Sequence, residues 1–353
     1  MTANKNLKRR VRARAAKTGE SYTTARRHVV SSPPDGAPTG LPDALGALDA
    51  TAAADRDGGP GSTRIRLAVA QIVAGDDPGD RAALQATGAA MRQLLREAAT
   101  AGARLVHFPE GALCAPDKWL LSSAGPSEVG PSDWSRCAWD VLRAELRRTA
   151  VLAGELGIWA VVGSVHQLTE PHRPHNSLDV IDDHGAIVTR YDERMLSSTK
   201  LRFMYTPGST PVTFVVDGVR FGCAMGMEVH YPELFLAYEQ LDVDCVLFSP
   251  TGGLADDLGV FAAEARAHAA TNRYWVSYAG SARDALHAPA GVVSPSGAWV
   301  GHGPRREEPA LVVVDVADQP DELARPWRRR VRAGIYDAHL VRDDPRSEDR
   351  AAL

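Results

Sequence analysis

Val219-Arg-Phe-Gly-Cys-Ala-Met-Gly-Met-Glu-Val-His-Tyr-Pro-Glu-Leu-Phe235 reads as a buried strand, a tight turn and the start of a helix. Val219–Met225 is an apolar run of strand length, and residues 230–241 follow with helical spacing. Gly226 falls between them, where a residue without a Cβ can make the strand-to-helix turn without strain. The same alternation continues in both directions. Further strands are predicted at Ile65–Gln71, Leu105–Phe108, Ile158–Val165, Leu178–Ile181, Val212–Val216, Val243–Phe248 and Tyr274–Ala279, and further helices at about 79–101, 132–155 and 257–272. The helix at 79–101 places Leu84, Met91, Leu94 and Leu95 on one face. Asp133 is placed to cap the next helix, and Gly157 lies just past its end. Buried strands paired with helices define a layered α/β fold. Turn signals at Asp182–Gly185, Asp217–Gly218 and Pro295–Gly297 imply hairpins, so the sheets are mixed.

The chain has 353 residues, 44% hydrophobic and 24% charged, with a formal net charge of −4. That supports one domain of about 250 residues with appendages. A near-neutral balance argues against a nucleic-acid or membrane partner for the protein as a whole. No run of 18 apolar residues occurs, so no spanning helix is expected, and the basic N-terminus lacks the apolar stretch of a signal peptide. Cys114, Cys137, Cys223 and Cys245 have neither disulfide-framework nor zinc-ligand spacing, so no metal or cofactor is expected. These readings together point to a soluble, cytoplasmic protein.

Composition divides the chain into a basic segment (1–30), a Pro/Gly/Ala linker (31–63), the α/β domain (64–316) and a C-terminal extension (317–353). Residues 1–30 hold nine Lys and Arg against Glu20 alone, a footprint suited to nucleic acid or another acidic partner. Their Thr18-Gly-Glu-Ser21 turn weakly resembles that of ribbon-helix-helix DNA-binding proteins, without the strand those insert into the groove. A solvated tail is the competing reading. Residues 31–63 bury too little apolar surface to offset chain entropy.

Several segments in order are similar to the nitrilase, or carbon–nitrogen hydrolase, superfamily. They are Leu67-Ala-Val-Ala-Gln71, Val106-His-Phe-Pro-Glu110, Asn176 with Gly185 and Tyr191, Phe221 to Phe235, Glu264-Ala-Arg-Ala with Asn272-Arg-Tyr-Trp275, and Gly291-Val-Val-Ser-Pro-Ser-Gly297. The resemblance implies a four-layer αββα sandwich and homo-oligomeric assembly. It extends to Trp327-Arg-Arg-Arg-Val-Arg332 and Ile335-Tyr336, which resemble an extension that packs across a subunit interface.

The family's Glu–Lys–Cys set uses the thiol as nucleophile, the carboxylate to move protons and the lysine to stabilise the oxyanion. Glu110 matches the glutamate. Tyr191-Asp-Glu-Arg-Met-Leu196 puts Glu193 at the lysine position, and counting back from Pro232-Glu233 puts Gly226 at the cysteine position. Neighbouring Arg194 points to the opposite face of an extended strand and is a poor stand-in. Lys200 occupies the place of a second family glutamate, so Glu193 and Lys200 read either as a charge-swapped pair or as a loose alignment with a surface lysine. Cys223 reads as a buried core thiol.

Three functions follow. The first is a binding or regulatory pseudoenzyme, or altered chemistry in an acidic pocket. With Glu110, Glu193 and Glu228 converging, that pocket should take a small cationic or amide-containing ligand, an amine or guanidinium ahead of a divalent metal. The second is an amidohydrolase using Cys114 as a relocated nucleophile, or water activated by Glu110. The third is a nucleic-acid-associated protein acting through residues 1–30.

Overall fold

Strand β1 (Arg64–Gln71) runs parallel to β2 (Leu105–His107), and β2 runs parallel to β3 (Trp159–His166). The two crossovers are α1 (Arg81–Thr100) and α2 (Trp139–Leu156). Antiparallel β4 (His175–Ile181) and β5 (Ile187–Asp192) extend this sheet at one edge. A second sheet repeats the plan. Its parallel centre is β7 (Val219–Met225), β8 (Cys245–Ser249) and β9 (Trp275–Tyr278), with crossovers α3 (Pro232–Gln240) and α4 (Ala255–Asn272). Antiparallel β6 (Thr213–Val216) flanks β7, while β10 (Gly291–Val293) and β11 (Trp299–His302) extend from β9. The chain then returns through β12 (Ala310–Ala317), antiparallel to β1, giving the orders β12-β1-β2-β3-β4-β5 and β11-β10-β9-β8-β7-β6. This computed structural model describes residues 63–125, 128–250, 255–317 and 324–348. The basic segment 1–30 and the linker up to residue 62 lie outside the described residues, as do the readings made of them.

Three buried clusters define four layers, αββα. Leu84, Met91, Leu94 and Leu95 of α1 pack with Ala68 and Ala70 of β1 and Val106 of β2, while Leu67 and Val69 face the other sheet across Val219, Phe221 and Leu247. From Leu67 to Ala70 both faces of β1 are thus buried and the sequence is a continuous apolar run, while Arg64 and Arg66 at its start are exposed. Phe235, Phe261 and Ala265 of α3 and α4 cover the outer face of the second sheet. Each fully buried Leu or Met contributes roughly 1.5–3 kcal/mol by leaving water.

The predicted hairpin turns are present. Asp217 and Gly218 have φ of 47° and 85°, which matches the right-handed twist of β6 and β7. Asp80, as N-cap of α1, accepts from the Ala83 N–H, and Gly157 ends α2 in the left-handed conformation. Asp133 does not cap α2. It caps a 3₁₀ turn, Trp134–Arg136, and α2 itself starts at Trp139. Strand β12 went unread in the sequence.

His107 joins the sheets. Its Nδ1 lies 2.8 Å from Ser277 Oγ and its Nε2 2.8 Å from Ser249 Oγ. Burial lowers its pKa to about 3, so the ring is neutral, donating through one nitrogen and accepting through the other. This registers the end of β2, three residues before Glu110, on β8 and β9.

Asp179 on β4 faces the helix side of its sheet, and burial pushes its carboxyl up to about 7 from an ordinary 3.8. The folded state therefore holds this proton more tightly than the unfolded chain. The stability it contributes is fully present below pH 3.8 and is lost as pH rises through about 7. Asp179→Asn is expected to remove that loss, on the order of 4 kcal/mol at full extent. Denaturant unfolding at pH 5 and pH 8 should then differ less for the variant than for the parent.

Candidate functional site

Four side chains converge beside Gly226, at the ends of the central strands of both sheets. Glu110 arrives on the loop after β2, which crosses close over β3. A Cβ on Gly163 would sit 2.1 Å from the Pro109 carbonyl, so only glycine admits this approach. Asn176 comes from β4, and Glu193 directly follows β5. Lys200 opens a single π-helical turn, Lys200–Met204, closed by the Tyr205 N–H donating to the Lys200 carbonyl at 2.9 Å.

The four close a ring. Lys200 Nζ donates to Glu110 Oε1 at 2.5 Å and to Glu193 Oε2 at 2.7 Å. Asn176 Nδ2 donates to the same two oxygens at 2.8 Å and 2.6 Å. The remaining oxygens, Glu110 Oε2 and Glu193 Oε1, are buried and accept no hydrogen bond from any of the described residues. Both point at Gly226, whose added Cβ would meet Glu193 Oε1 at 2.9 Å and both Glu110 Oε2 and Lys200 Nζ at 3.3 Å. With φ of +50°, Gly226 also holds a backbone conformation that other residues enter at a cost.

Two carboxylates share one ammonium, and the electrostatics follow from that count. Burial pushes Glu193 above the ordinary carboxylate range; Lys200 opposes the rise and Glu110 adds to it. Burial lowers the pKa of Lys200, but the paired carboxylates outweigh this and raise it, so it remains an ammonium. Lys200 is therefore the partner of Glu193 in space and not a solvated surface lysine.

Other sequence-predicted site residues lie elsewhere. Glu228 is fully buried but faces away from the ring. It accepts from Tyr191 Oη at 2.6 Å and from the N–H groups of Met225, Arg194 and Met195 at 2.8, 2.7 and 3.2 Å. It ties the Gly226 turn to the segment that follows Glu193, and its acceptors are used. Arg194 turns to the opposite side, donating from Nε to Tyr191 Oη at 3.1 Å and stacking over that ring. The space left by the missing side chain at Gly226 is lined by Glu193, Glu110 and Lys200. Asn176, quoted only as part of a family segment, is a member of the ring that residue-type reasoning passed over.

Cys114 is fully buried in the cluster beneath α1 and α2, and burial pushes its thiol well up. Cys223 lies in the core between the sheets, with its thiol raised in the same way. Native protein is expected to resist iodoacetamide at pH 7.5, with all four thiols reacting only after unfolding. Mass spectrometry of the treated protein reads this directly. Fast labelling of Cys114 alone would revive it as a nucleophile.

Glu110 lines a cavity of about 180 Å³ with Ile72, Ala74 and Pro109 on one side and Ser281, Arg283 and Asp284 at its mouth. Arg283 bridges to Asp76 at 3.2 Å and to the Ala74 carbonyl at 3.2 Å, which holds the mouth together. Among the described residues no cluster of His, Cys, Asp and Glu could hold a metal ion, and no helix is long and apolar enough to cross a membrane.

Beyond β12, helix α5 (Ala324–Arg332) returns to its own domain. Arg325 donates to the Val243 carbonyl at 3.0 Å, Arg329 pairs with Asp242, and Arg332 pairs with Glu239.

Two mixed sheets packed face to face between helical layers, with Glu110 and Gly226 at facing strand ends, define a nitrilase-superfamily sandwich. The model of the family described as carbon–nitrogen hydrolase matches residues 66–325, and the chain belongs to that family. A hydrolase of Mycobacterium tuberculosis strain H37Rv is 31% identical over 270 residues, covering 73% of this chain and 88% of the relative. Among solved structures, a cysteine-to-alanine mutant of the amidase from Nesterenkonia AN1 superimposes with a TM-score of 0.59 at 21% identity, covering 80% of this chain and 98% of the amidase. The glutamine-dependent NAD+ synthetase of Acinetobacter baumannii gives a TM-score of 0.56 at 17% identity, covering 71% of this chain and 45% of that one.

Proposed function

We propose that this carbon–nitrogen hydrolase family member binds a small ligand bearing N–H donors, a primary amide or amine, without thiol-dependent turnover. One observation carries the reading: two buried carboxylate oxygens, Glu110 Oε2 and Glu193 Oε1, have no donor among the described residues and converge beside Gly226. A buried acceptor left unpaired costs about 1–3 kcal/mol, which a bound N–H recovers. The cavity of about 180 Å³ that Glu110 lines suits a ligand of a few heavy atoms. Structures of the Nesterenkonia amidase in complex with butyramide and acrylamide supply the comparison for ligand class.

Two features support binding over hydrolysis. Glycine at the expected cysteine position offers no nucleophile, and Lys200 is already held by two carboxylates, so it is a poor partner for a developing oxyanion. Losing covalent catalysis and oxyanion stabilisation removes several kcal/mol of barrier lowering. Because Lys200 neutralises one of the two acids, the pocket is less acidic than the sequence implied. Amides then stand beside amines as ligands, and a divalent metal falls away.

Titration calorimetry with butyramide and with methylamine tests this. Saturable binding is expected for at least one, weakened about tenfold in Glu110→Gln, with no ammonia released from butyramide. Ammonia release proportional to protein concentration would replace this reading with direct hydrolysis.

A further inference from the structure

Among the described residues, the first sheet has six strands and two covering helices. α2 lies over β3, and beyond it the outer face of β4 looks into a groove of about 590 Å³. That volume is within the range of small-molecule sites. One wall is apolar, formed by Trp139, Leu142 and Leu146 of α2. Ser164 of β3 and Asp179 of β4 lie at its floor, 1% and 5% exposed. Asp179 is the unusual member. No hydrogen-bond donor among the described residues reaches its carboxyl, and its relation to Arg190, directly opposite on β5, is coulombic only. That guanidinium is bound to Asp192 at 2.7 and 3.0 Å, and Asp192 also accepts from Ser177 Oγ at 2.6 Å. The neighbouring polar groups are therefore satisfied among themselves and leave Asp179 out. Burying a carboxyl without a donor is costly, and the apolar wall facing it is the edge of the helix-side core, where Leu142 is buried and Trp139 and Leu146 are only partly covered.

We propose that this groove is a second ligand site, separate from the Glu110 centre, that takes a small primary amine with an aromatic or branched apolar body. The amine would donate to Asp179 with Ser164 beside it, and the body would lie along Trp139, Leu142 and Leu146. Glu170 at the rim adds a further negative charge, while Arg143 there is engaged with the Gln167 side-chain oxygen at 2.7 Å. The two sites differ in what they select. The Glu110 cavity of about 180 Å³ admits only a few heavy atoms, whereas this groove needs a body to fill it.

The test is titration of the full chain with 2-phenylethylamine at pH 8, with melting curves confirming that each variant is folded. Saturable binding is expected, weakened at least about tenfold by Asp179→Asn, which removes a charge-assisted hydrogen bond. Leu146→Trp, which fills the groove from the partly exposed stretch of the apolar wall, should weaken it similarly, and Glu110→Gln should leave it unchanged. Absence of saturable binding, or binding unaffected by both Asp179→Asn and Leu146→Trp, would overturn the proposal. Loss in Glu110→Gln would also overturn it, by placing the amine in the other centre.

Discussion

Glu193→Lys is expected to destabilise the protein by about 3–5 kcal/mol, and adding Lys200→Glu is expected to return most of that loss. The single change sets two ammonium groups side by side against Glu110, where the parent has one ammonium held between two carboxylates at 2.5 and 2.7 Å. Lys200→Glu alone should be at least as damaging, because it gathers three carboxylates with no cation. The double variant restores one cation among two anions with the signs exchanged. Denaturant unfolding of the four proteins closes the cycle. A coupling energy of several kcal/mol is expected, and additivity within about 0.5 kcal/mol would show that the two side chains act independently. Asn176 gives a further check within the same ring. It donates to both carboxylates, so Asn176→Asp should be poorly tolerated in the parent, adding a third acid to one cation.

How far the sequence went is visible in these same residues. The central strands were legible because parallel strands buried on both faces are written as continuous apolar runs, and the hairpins because Asp217-Gly218 and Pro295–Gly297 carry turn chemistry. Strand β12 escaped because only two of its residues, Val312 and Val316, are deeply buried, so its run resembles surface as much as core. Glu110, Glu193 and Gly226 were located by counting along motifs, and the fold brings them together. The direction of a side chain leaving a loop is another matter. Lys200 meets Glu193 across seven residues only because a π-helical turn aims it inward, and no periodicity records such a turn. Cys114 follows Glu110 by four residues, yet the chain bends at Gly111 (φ +62°) and sends the thiol into the helix-side core. Three acidic residues in one region suggested an acidic pocket. The ring instead contains its own cation, and the third acid has another task.

That task sets the second large effect. Glu228 accepts four hydrogen bonds, two on each oxygen: Tyr191 Oη and the Met225 N–H on Oε2, and the N–H groups of Arg194 and Met195 on Oε1. All four partners are donors, so the site calls for a group that only accepts. Burial lifts the pKa of Glu228 while these donors pull it back. Glutamine can turn its oxygen to one pair only and must set its NH2 against the other two donors. Glu228→Gln is therefore expected to cost nearly as much as Glu228→Ala, roughly 3–5 kcal/mol each, because buried donors left without an acceptor cost about 1–3 kcal/mol apiece. At an ordinary surface glutamate the same isosteric change falls within about 0.5 kcal/mol. The consequence reaches the ring, since Glu228 fixes the backbone of the two residues after Glu193 to the turn that begins at Gly226. Folded Glu228→Gln protein, held at low temperature, should then bind butyramide or methylamine more weakly than the parent, although Glu228 touches neither ligand. Chemical denaturation of the two variants beside the parent decides it: a Gln variant as stable as the parent would mean that Glu228 is packing material and not the strut between the two halves of the site.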